Sequence, residues 1–262
     1  MKTNSRKRLL VSSVAMLLVA MLALGTATYA WFTTNTTSYA DRINVSTSKA
    51  STLVVSKNDK KWATHVEYGV GTDTTAKTMF PASSGDGSNW FKANAVDGTG
   101  TIDKTTLAAA TKEGNLDPDY VYVNELNVKN DGKLKVENIK ITFLALAGSS
   151  DYARIALVPK AGASSETDVV TRTGTFASNV YDNQGESYYP IVSATASDAV
   201  SSTTITCNNK TEIKVPDLDA GKMAYYDLYV WFEGQDKDCK NANSGQPIPK
   251  LSFNVTGDPV QE

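Results

Sequence analysis

Few residues in this 262-residue chain are of types that could do covalent or metal chemistry, and their spacing limits what that chemistry could be. There is one histidine, His65, in the segment KWATHVEYG. A histidine-based zinc site needs more His or Cys ligands at workable spacing, and no H-E-x-x-H occurs. A Ser-His-Asp triad would have to use His65, and no G-x-S-x-G accompanies it. His65 therefore reads as a strand or loop residue with a structural hydrogen bond. Acidic pairs stand at Asp117/Asp119, Asp217/Asp219 and Asp236/Asp238. Such spacing can line a calcium site, because hard cations take several oxygens, and it is equally the spacing of solvated turn carboxylates. The EF-hand pattern fails: after Asp236 and Asp238 the next alternate residue is Lys240, and no glycine stands at the sixth position. Glycoside hydrolysis needs two carboxylates flanking a cleft, and nothing singles out such a pair. No glycine-rich phosphate loop is present. The expectation is no catalytic residue, no metal and no cofactor, hence not an enzyme.

The only cysteines are Cys207 and Cys239. In an oxidising compartment they can pair as a disulfide. They can equally stand as two thiols, one of them buried as a small apolar residue. Aromatic residues are plentiful, with four Trp and twelve Tyr. The clusters YVYV, Tyr188-Tyr189 and YYDLYVWF could form a sugar-stacking surface. They fit better as core and cross-strand pairs, because aromatics supply so much buried area.

The first thirty residues explain where such a chain would work. Lys2, Arg6, Lys7 and Arg8 precede an apolar run from Leu9 to Leu24 interrupted by Ser12 and Ser13, and GTATYA follows. Positive flank, apolar run and small-residue site are the three parts of a cleavable export signal. The run is short for a bilayer span, which takes ~20 residues. Cleavage is expected between Ala30 and Trp31, with Ala27 as the other candidate site. Removing residues 1–30 takes away four of 26 basic and none of 28 acidic residues, which leaves a net charge of −6. That balance disfavours a nucleic-acid partner, which needs a basic face. The reading is a secreted protein, extracellular or at the cell surface, with no permanent membrane span after cleavage.

Strand signals dominate the rest. TLVVS (52–56), YVYVNELNV (120–128), KLKVENIKITFLAL (133–146), ARIALVP (153–159), YYPIVSA (189–195), TTITC (203–207), TEIKV (211–215), MAYYDLYVWF (223–232) and KLSFNV (250–255) are rich in Val, Ile, Tyr, Phe and Thr. In KLKVENIKITF the alternation slips between Val136 and Ile139, which marks a bulge near Asn138. MAYYDLYVWF is almost continuously apolar, as expected for a strand covered on both faces. NDG at 130–132 reads as a hairpin turn, with further turns at DAG (219–221) and SGQP (244–247). One short helix is expected over TTLAAATKE (105–113), capped by Asp103 and ended by Gly114. Polar, turn-rich segments near 82–118 and 161–203 read as surface insertions that add little core. The expected architecture is mainly β: an antiparallel β-sandwich or jelly-roll-like domain over 43–262, preceded by a signal-peptide helix (1–30) and an N-terminal segment (31–42).

Three stretches carry a family resemblance. ALGTATYAWFTTNTTSYADRINVSTSKASTLVVS resembles the start of the TasA/camelysin family of secreted biofilm-matrix fibre proteins, in which a SipW-type signal peptidase cuts just before an aromatic-containing segment, here Trp31-Phe32. VNELNVKNDGKLKVENIKITF (123–143) resembles that family's strand, N-x-G turn, strand unit. DLDAGKMAYYDLYVWFEGQDKDC (217–239) is similar to the tail of proteins bearing the same signal. The resemblance implies a biofilm or extracellular-matrix fibre subunit, or an accessory to one, that self-associates into filaments. It also implies that the mature N-terminal segment joins a neighbouring subunit as a donor strand, with Trp31, Phe32, Thr34, Thr36 and Tyr39 in that strand. The metalloprotease label attached to camelysin is not carried over, because no histidine-rich metal motif is present. The competing reading is a monomeric secreted binding module for a glycan or cell-surface ligand.

Overall fold

The computed structural model describes Met16 and residues 43–47, 53–68, 71–72, 75–76, 78–93, 95–96, 101–102, 104–107, 117–147, 152–161, 171–195, 200–209, 212–239, 246–247 and 250–260. The chain divides into two units, Met1–Ala40 and Asp41–Glu262. Of the first only Met16 is described, and it is helical. Both the remainder of the expected signal segment and the candidate donor residues Trp31, Phe32, Thr34, Thr36 and Tyr39 lie outside the described residues, as does the Ala30–Trp31 junction. Among the described residues no helix is long and apolar enough to cross a membrane.

Ten strands of the second unit form two five-stranded sheets. They are β1 (Ile43–Thr47), β2 (Leu53–Ser56), β3 (His65–Tyr68), β4 (Val121–Asn130), β5 (Val136–Ala147), β6 (Ala153–Pro159), β7 (Val180–Tyr181), β8 (Glu212–Lys214), β9 (Met223–Phe232) and β10 (Lys250–Pro259). Sheet one runs β8-β5-β10-β1-β3 and sheet two runs β7-β6-β9-β4-β2. The fold is mainly β, a β-sandwich. All pairings in these sheets are antiparallel except β1 with β10, which is parallel (Asn44 opposite Ser252, Val45 opposite Phe253). A parallel pair needs a long crossover, and the intervening domain supplies it.

The first core lies between the sheets. Sheet one contributes Val66, Tyr68, Val136, Ile139, Ile141, Phe253 and Val255, and sheet two contributes Leu53, Leu126, Val128, Leu157, Tyr226, Leu228 and Val230. These positions alternate along each strand except across the β5 bulge between Val136 and Ile139, so the period-two pattern together with that bulge places them on one face.

Several expectations hold. ARIALVP and MAYYDLYVWF coincide with β6 and β9. The phase slip at Asn138 is a bulge: the register of β5 against β10 shifts between Glu137 and Lys140, and Asn138 has φ +51°. That left-handed backbone suits an Asn. The DAG turn forms, with Lys222 N–H donating to Asp219 O at 3.0 Å and Gly221 at φ +73°.

Others need correction. The NDG segment does not close a hairpin, because β4 belongs to sheet two and β5 to sheet one. It turns the chain from one sheet to the other. Asn130 is buried and fixes the corner: its Oδ1 accepts from Gly132 N (3.0 Å), and its Nδ2 donates to Leu134 O (2.8 Å) and Leu218 O (2.9 Å). The helix expected at 105–113 begins instead as extended chain, with Thr106 bridged to Phe91 and Leu107 N–H donating to Trp90 O (2.8 Å). Residues 108–116 lie outside the described residues. The described residues hold no helix of seven residues or more; the short helix α1 is at Asp117–Tyr120. YYPIVSA shows a bridge from Ile191 to Val200 but no strand over its length.

Candidate functional site

The outer face of sheet two, away from sheet one, is where the molecule concentrates its unusual side chains. Alternation along β9 turns Met223, Tyr225, Asp227, Tyr229 and Trp231 outward. The registers build rows across the sheet: Val121, Trp231 and Arg154; Val123, Tyr229 and Ala156; Glu125, Asp227 and Val158. The first two rows are apolar except for Arg154, and the third carries charge.

A second core covers the apolar rows. Trp90 stacks on Tyr229 (centroids 5.8 Å, interplanar angle 30°) and meets Trp231 edge-on (5.2 Å, 78°), and Phe176 packs against both Tyr229 and Trp231. Met79, Ala82, Tyr188, Ile205 and Cys207 complete the cover. Ala82, Trp90, Phe176 and Tyr188 come from the two polar segments expected to add little core, and that expectation is corrected; Met79, Ile205 and Cys207 lie just outside them. Each segment is polar on average but presents a few large side chains inward. The loop 84–89 folds on its own polar groups: Ser84 Oγ donates to Asn89 O (2.6 Å) and accepts from Gly87 N (2.9 Å), and Asp86 Oδ1 accepts from Ser88 N (2.8 Å) and Asn89 N (2.7 Å). Gly87 sits at φ +69°, and a Cβ there would lie 2.4 Å from the Phe176 ring.

At the boundary between apolar and charged rows, Lys160 Nζ reaches Glu125 Oε1 (2.6 Å) and Asp227 Oδ1 (3.2 Å). Burial alone would raise the Glu125 carboxyl; the Lys160 ammonium outweighs it and holds the group below its usual value. Arg172 pins the cover to this strip. It donates to Asp86 O (2.9 Å) and the Tyr229 hydroxyl, and its Nε lies 3.4 Å from Asp227.

At the far end, Arg154 is completely buried. Its guanidinium pairs with Asp236, lies 3.6 Å from Asp182 and 4.0 Å from Glu186, and sits 5.9 Å from the Tyr188 ring centre. Asp182 in turn accepts from the backbone N–H groups of Gln184, Gly185 and Glu186. Glu233 is also fully buried, accepting from Trp231 Nε1 (3.0 Å) and Gln235 N (3.0 Å). Burial pushes its carboxyl up to about 7, against the opposing pull of those donors, Ser83 and Arg154.

Of the acidic pairs singled out by spacing, Asp236 and Asp238 converge with Glu186, their nearest oxygens all within 4.8 Å of one another. Lys237 Nζ donates to Glu186 and lies 3.8 Å from Asp238, while Arg154 approaches from the interior, so two cationic side chains already balance these carboxylates. Asp217 and Asp219 are exposed turn residues; Asp217 accepts from Asn138 N (3.2 Å). Asp119 is exposed at the end of α1. His65 is exposed on β3 opposite Ser46. Cys207 and Cys239 are both thiols, Cys207 buried in the second core and Cys239 packed against it. Tyr122, Tyr188, Tyr225, Tyr226, Tyr229 and Trp231 are buried, so the aromatic clusters are core; Tyr189 is 52% exposed. Sequence reasoning passed over Arg154. The signal was there: one cation inside the otherwise apolar ARIALVP.

The cover also holds a surface cleft of about 290 Å³, floored by Phe91, Pro190 and Ile191 and rimmed by Asn89, Ser201 and Thr203. In sheet one, β8 pairs with β5 only from Lys140 to Thr142. Among the described residues, Phe143–Ala147 of β5 therefore has a neighbour on the β10 side alone. Asn44, Ser252 and Ala145 lie in one row, so the chain enters β1 at the same end of the sheet as this stretch of edge. No family model matches the chain, and no curated protein or solved structure does either.

Proposed function

We propose that the chain is a secreted structural subunit that self-associates into extracellular fibres, each copy passing the residues just before β1 to a neighbour as an added strand. The observation that carries this reading is the stretch Phe143–Ala147 of β5, which among the described residues is paired on the β10 side alone. A strand with one side unpaired exposes N–H and C=O groups that an incoming strand satisfies, and this geometry is a general mode of protein association. The candidate donor, WFTTNTTSYA (31–40), carries no charge and contains β-branched and aromatic residues, a composition suited to a strand. It directly precedes a strand already integrated into sheet one, at the end of the sheet where Phe143–Ala147 lies. Signal-peptide cleavage at Ala30–Trp31 would release the donor, which couples export to assembly.

Deleting residues 31–40 from the mature protein should abolish filaments in negative-stain microscopy and leave a folded monomer by circular dichroism. Filaments that persist would rule out donation from this segment.

The cleft favours a second reading, a monomeric module that binds a glycan. Its apolar floor and hydroxyl- and amide-bearing rim suit a sugar ring. Specific hits on a glycan array, from protein that stays monomeric, would favour this reading over fibre formation.

A further inference from the structure

Lys160 is held by two carboxylates at a place that little water reaches. It directly follows β6, its N–H donates to Tyr225 O (2.9 Å), and its Nζ lies 2.6 Å from Glu125 Oε1 and 3.2 Å from Asp227 Oδ1. The side chains of Lys160, Glu125 and Asp227 are 9%, 13% and 20% exposed. The pairs Lys135–Glu137 and Lys140–Glu212, by contrast, are open to solvent. The registers assemble the triad: Glu125 of β4 stands opposite Asp227 of β9, and Lys160 reaches it from the other side of β9. Tyr225 and Tyr229, both buried, flank Asp227 along the strand. The second oxygen of each carboxylate is held as well. Asn127 Nδ2 lies 3.3 Å from Glu125 Oε2, and Arg172 Nε lies 3.4 Å from Asp227 Oδ2.

We propose that Lys160 and Asp227 condense after folding into an intramolecular amide that ties the end of β6 to β9, with Glu125 carrying the protons. The three groups supply what the reaction needs: an amine, a carboxyl carbon and a proton carrier, all in contact. Contact of this kind is worth an effective concentration of about 10⁵–10⁸ M for well-oriented groups, which favours the amide over its hydrolysis. Exclusion of water acts in the same direction.

The step balances without an oxidant or a co-reactant. The Lys160 ammonium passes one proton to Glu125 across their hydrogen bond. The neutral amine attacks Asp227 Cγ, and a C–N bond forms. Negative charge gathers on Oδ2, where the Arg172 guanidinium faces it. Glu125 gives its proton to Oδ1, takes a second from the nitrogen and passes that to Oδ1 too. The C–Oδ1 bond breaks and one water leaves. Glu125 ends as the carboxylate it began as. Burial lowers the Lys160 ammonium, but its bonds to Glu125 and Asp227 outweigh this and hold it above its usual value. The neutral amine is therefore a minor form, and the link accumulates slowly once the protein has folded. It would keep β6 and β9 joined when their shared hydrogen bonds break, in a monomer or in a fibre alike.

The test is the mass of the mature protein, kept folded under reductant at neutral pH and sampled over days. Each sample is denatured for intact mass spectrometry and digested for peptide mapping. The wild type should lose the mass of one water, and a branched peptide should join Lys160 to Asp227. Lys160→Arg and Asp227→Ala should keep the full sequence mass. Glu125→Gln should form the link about 100-fold more slowly, the low end of what a positioned proton carrier supplies. A mass that never falls would overturn the proposal. So would loss of water without the branched peptide, which marks a cyclic imide elsewhere in the chain. Loss of ammonia would also overturn it, by making Asn127 the acceptor. A Glu125→Gln protein that links as fast as the wild type would overturn the role given to Glu125. If the variants fail to fold, the wild-type mass and peptide map still decide.

Discussion

The two faces of sheet two solve the same problem by different means. On the inner face Ala224, Tyr226, Leu228 and Val230 of β9 meet the alternating apolar residues of sheet one, and strand packs on strand. On the outer face, where the cover holds short two-stranded pairs such as Ser187–Tyr188 with Ile205–Thr206, Tyr229 and Trp231 meet no second five-stranded sheet among the described residues. They are covered by single large residues, Trp90, Phe176 and Tyr188, projecting from segments rich in Gly, Ser and Asp. The inner core is made by periodicity. The outer core is made by loops whose own polar side chains fix their shape, so that an occasional aromatic is held facing inward.

The comparison can be broken most forcefully at Trp90. If the loop-built layer is a true core, Trp90→Ala should cost about 3–5 kcal/mol, the range for an aromatic truncated in a packed interior. Leu228→Ala between the sheets should cost about 2–5 kcal/mol. Guanidinium unfolding of both variants checks this, and a cost below about 1 kcal/mol at Trp90 would make the outer layer a loose cover.

The charged groups beneath the cover sharpen the contrast, because among the described residues the inner core holds no fully buried carboxylate like Glu233. Its folded carboxyl titrates at about 7 and its unfolded one near 4.5. Between those values the native state holds the proton more tightly than the unfolded chain does. Its contribution to stability is therefore present in full below about 4.5 and is lost as pH rises through 7, by about 3 kcal/mol in all. Urea unfolding across this window should show that loss in the wild type and a flatter profile in Glu233→Gln. Parallel profiles would assign the slope to other groups.

A smaller effect is expected at the loop that carries Trp90. Gly87→Ala forces a side chain into left-handed backbone and against Phe176, at a cost of about 1–3 kcal/mol. Near-ultraviolet circular dichroism should change with it, because the Trp90–Phe176 contact is displaced. A neutral substitution would mean that the loop shifts freely and does not hold the outer core in register.

The same contrast explains what was legible in the sequence. β6 and β9 could be delimited to the residue because apolar character runs the length of each strand, and the bulge at Asn138 was visible as a break in alternation. That β9 would be covered on both faces was also legible, but not by what. Trp90 in SGDGSNWF and Phe176 in TGTFASN have no periodic apolar neighbours, so nothing local marks them as buried. NDG reads identically whether the chain returns along its own sheet or crosses to the other; the long-range bond from Asn130 to Leu218 O accompanies the crossing. Asp236 and Asp238 were noticed for their spacing, but their neighbours Arg154 and Glu186 come from distant segments and meet them only on folding.

Sheet two, covered on both faces, stands against sheet one, whose β5 edge is the proposed acceptor. Hydrogen–deuterium exchange on mature protein before and after assembly tests that role most directly. If the edge receives a strand, amides within Phe143–Ala147 should become markedly slower to exchange in fibres than in monomers, while those of β9 stay as they were. Unchanged exchange at Phe143–Ala147 in assembled protein would contradict strand addition at this edge.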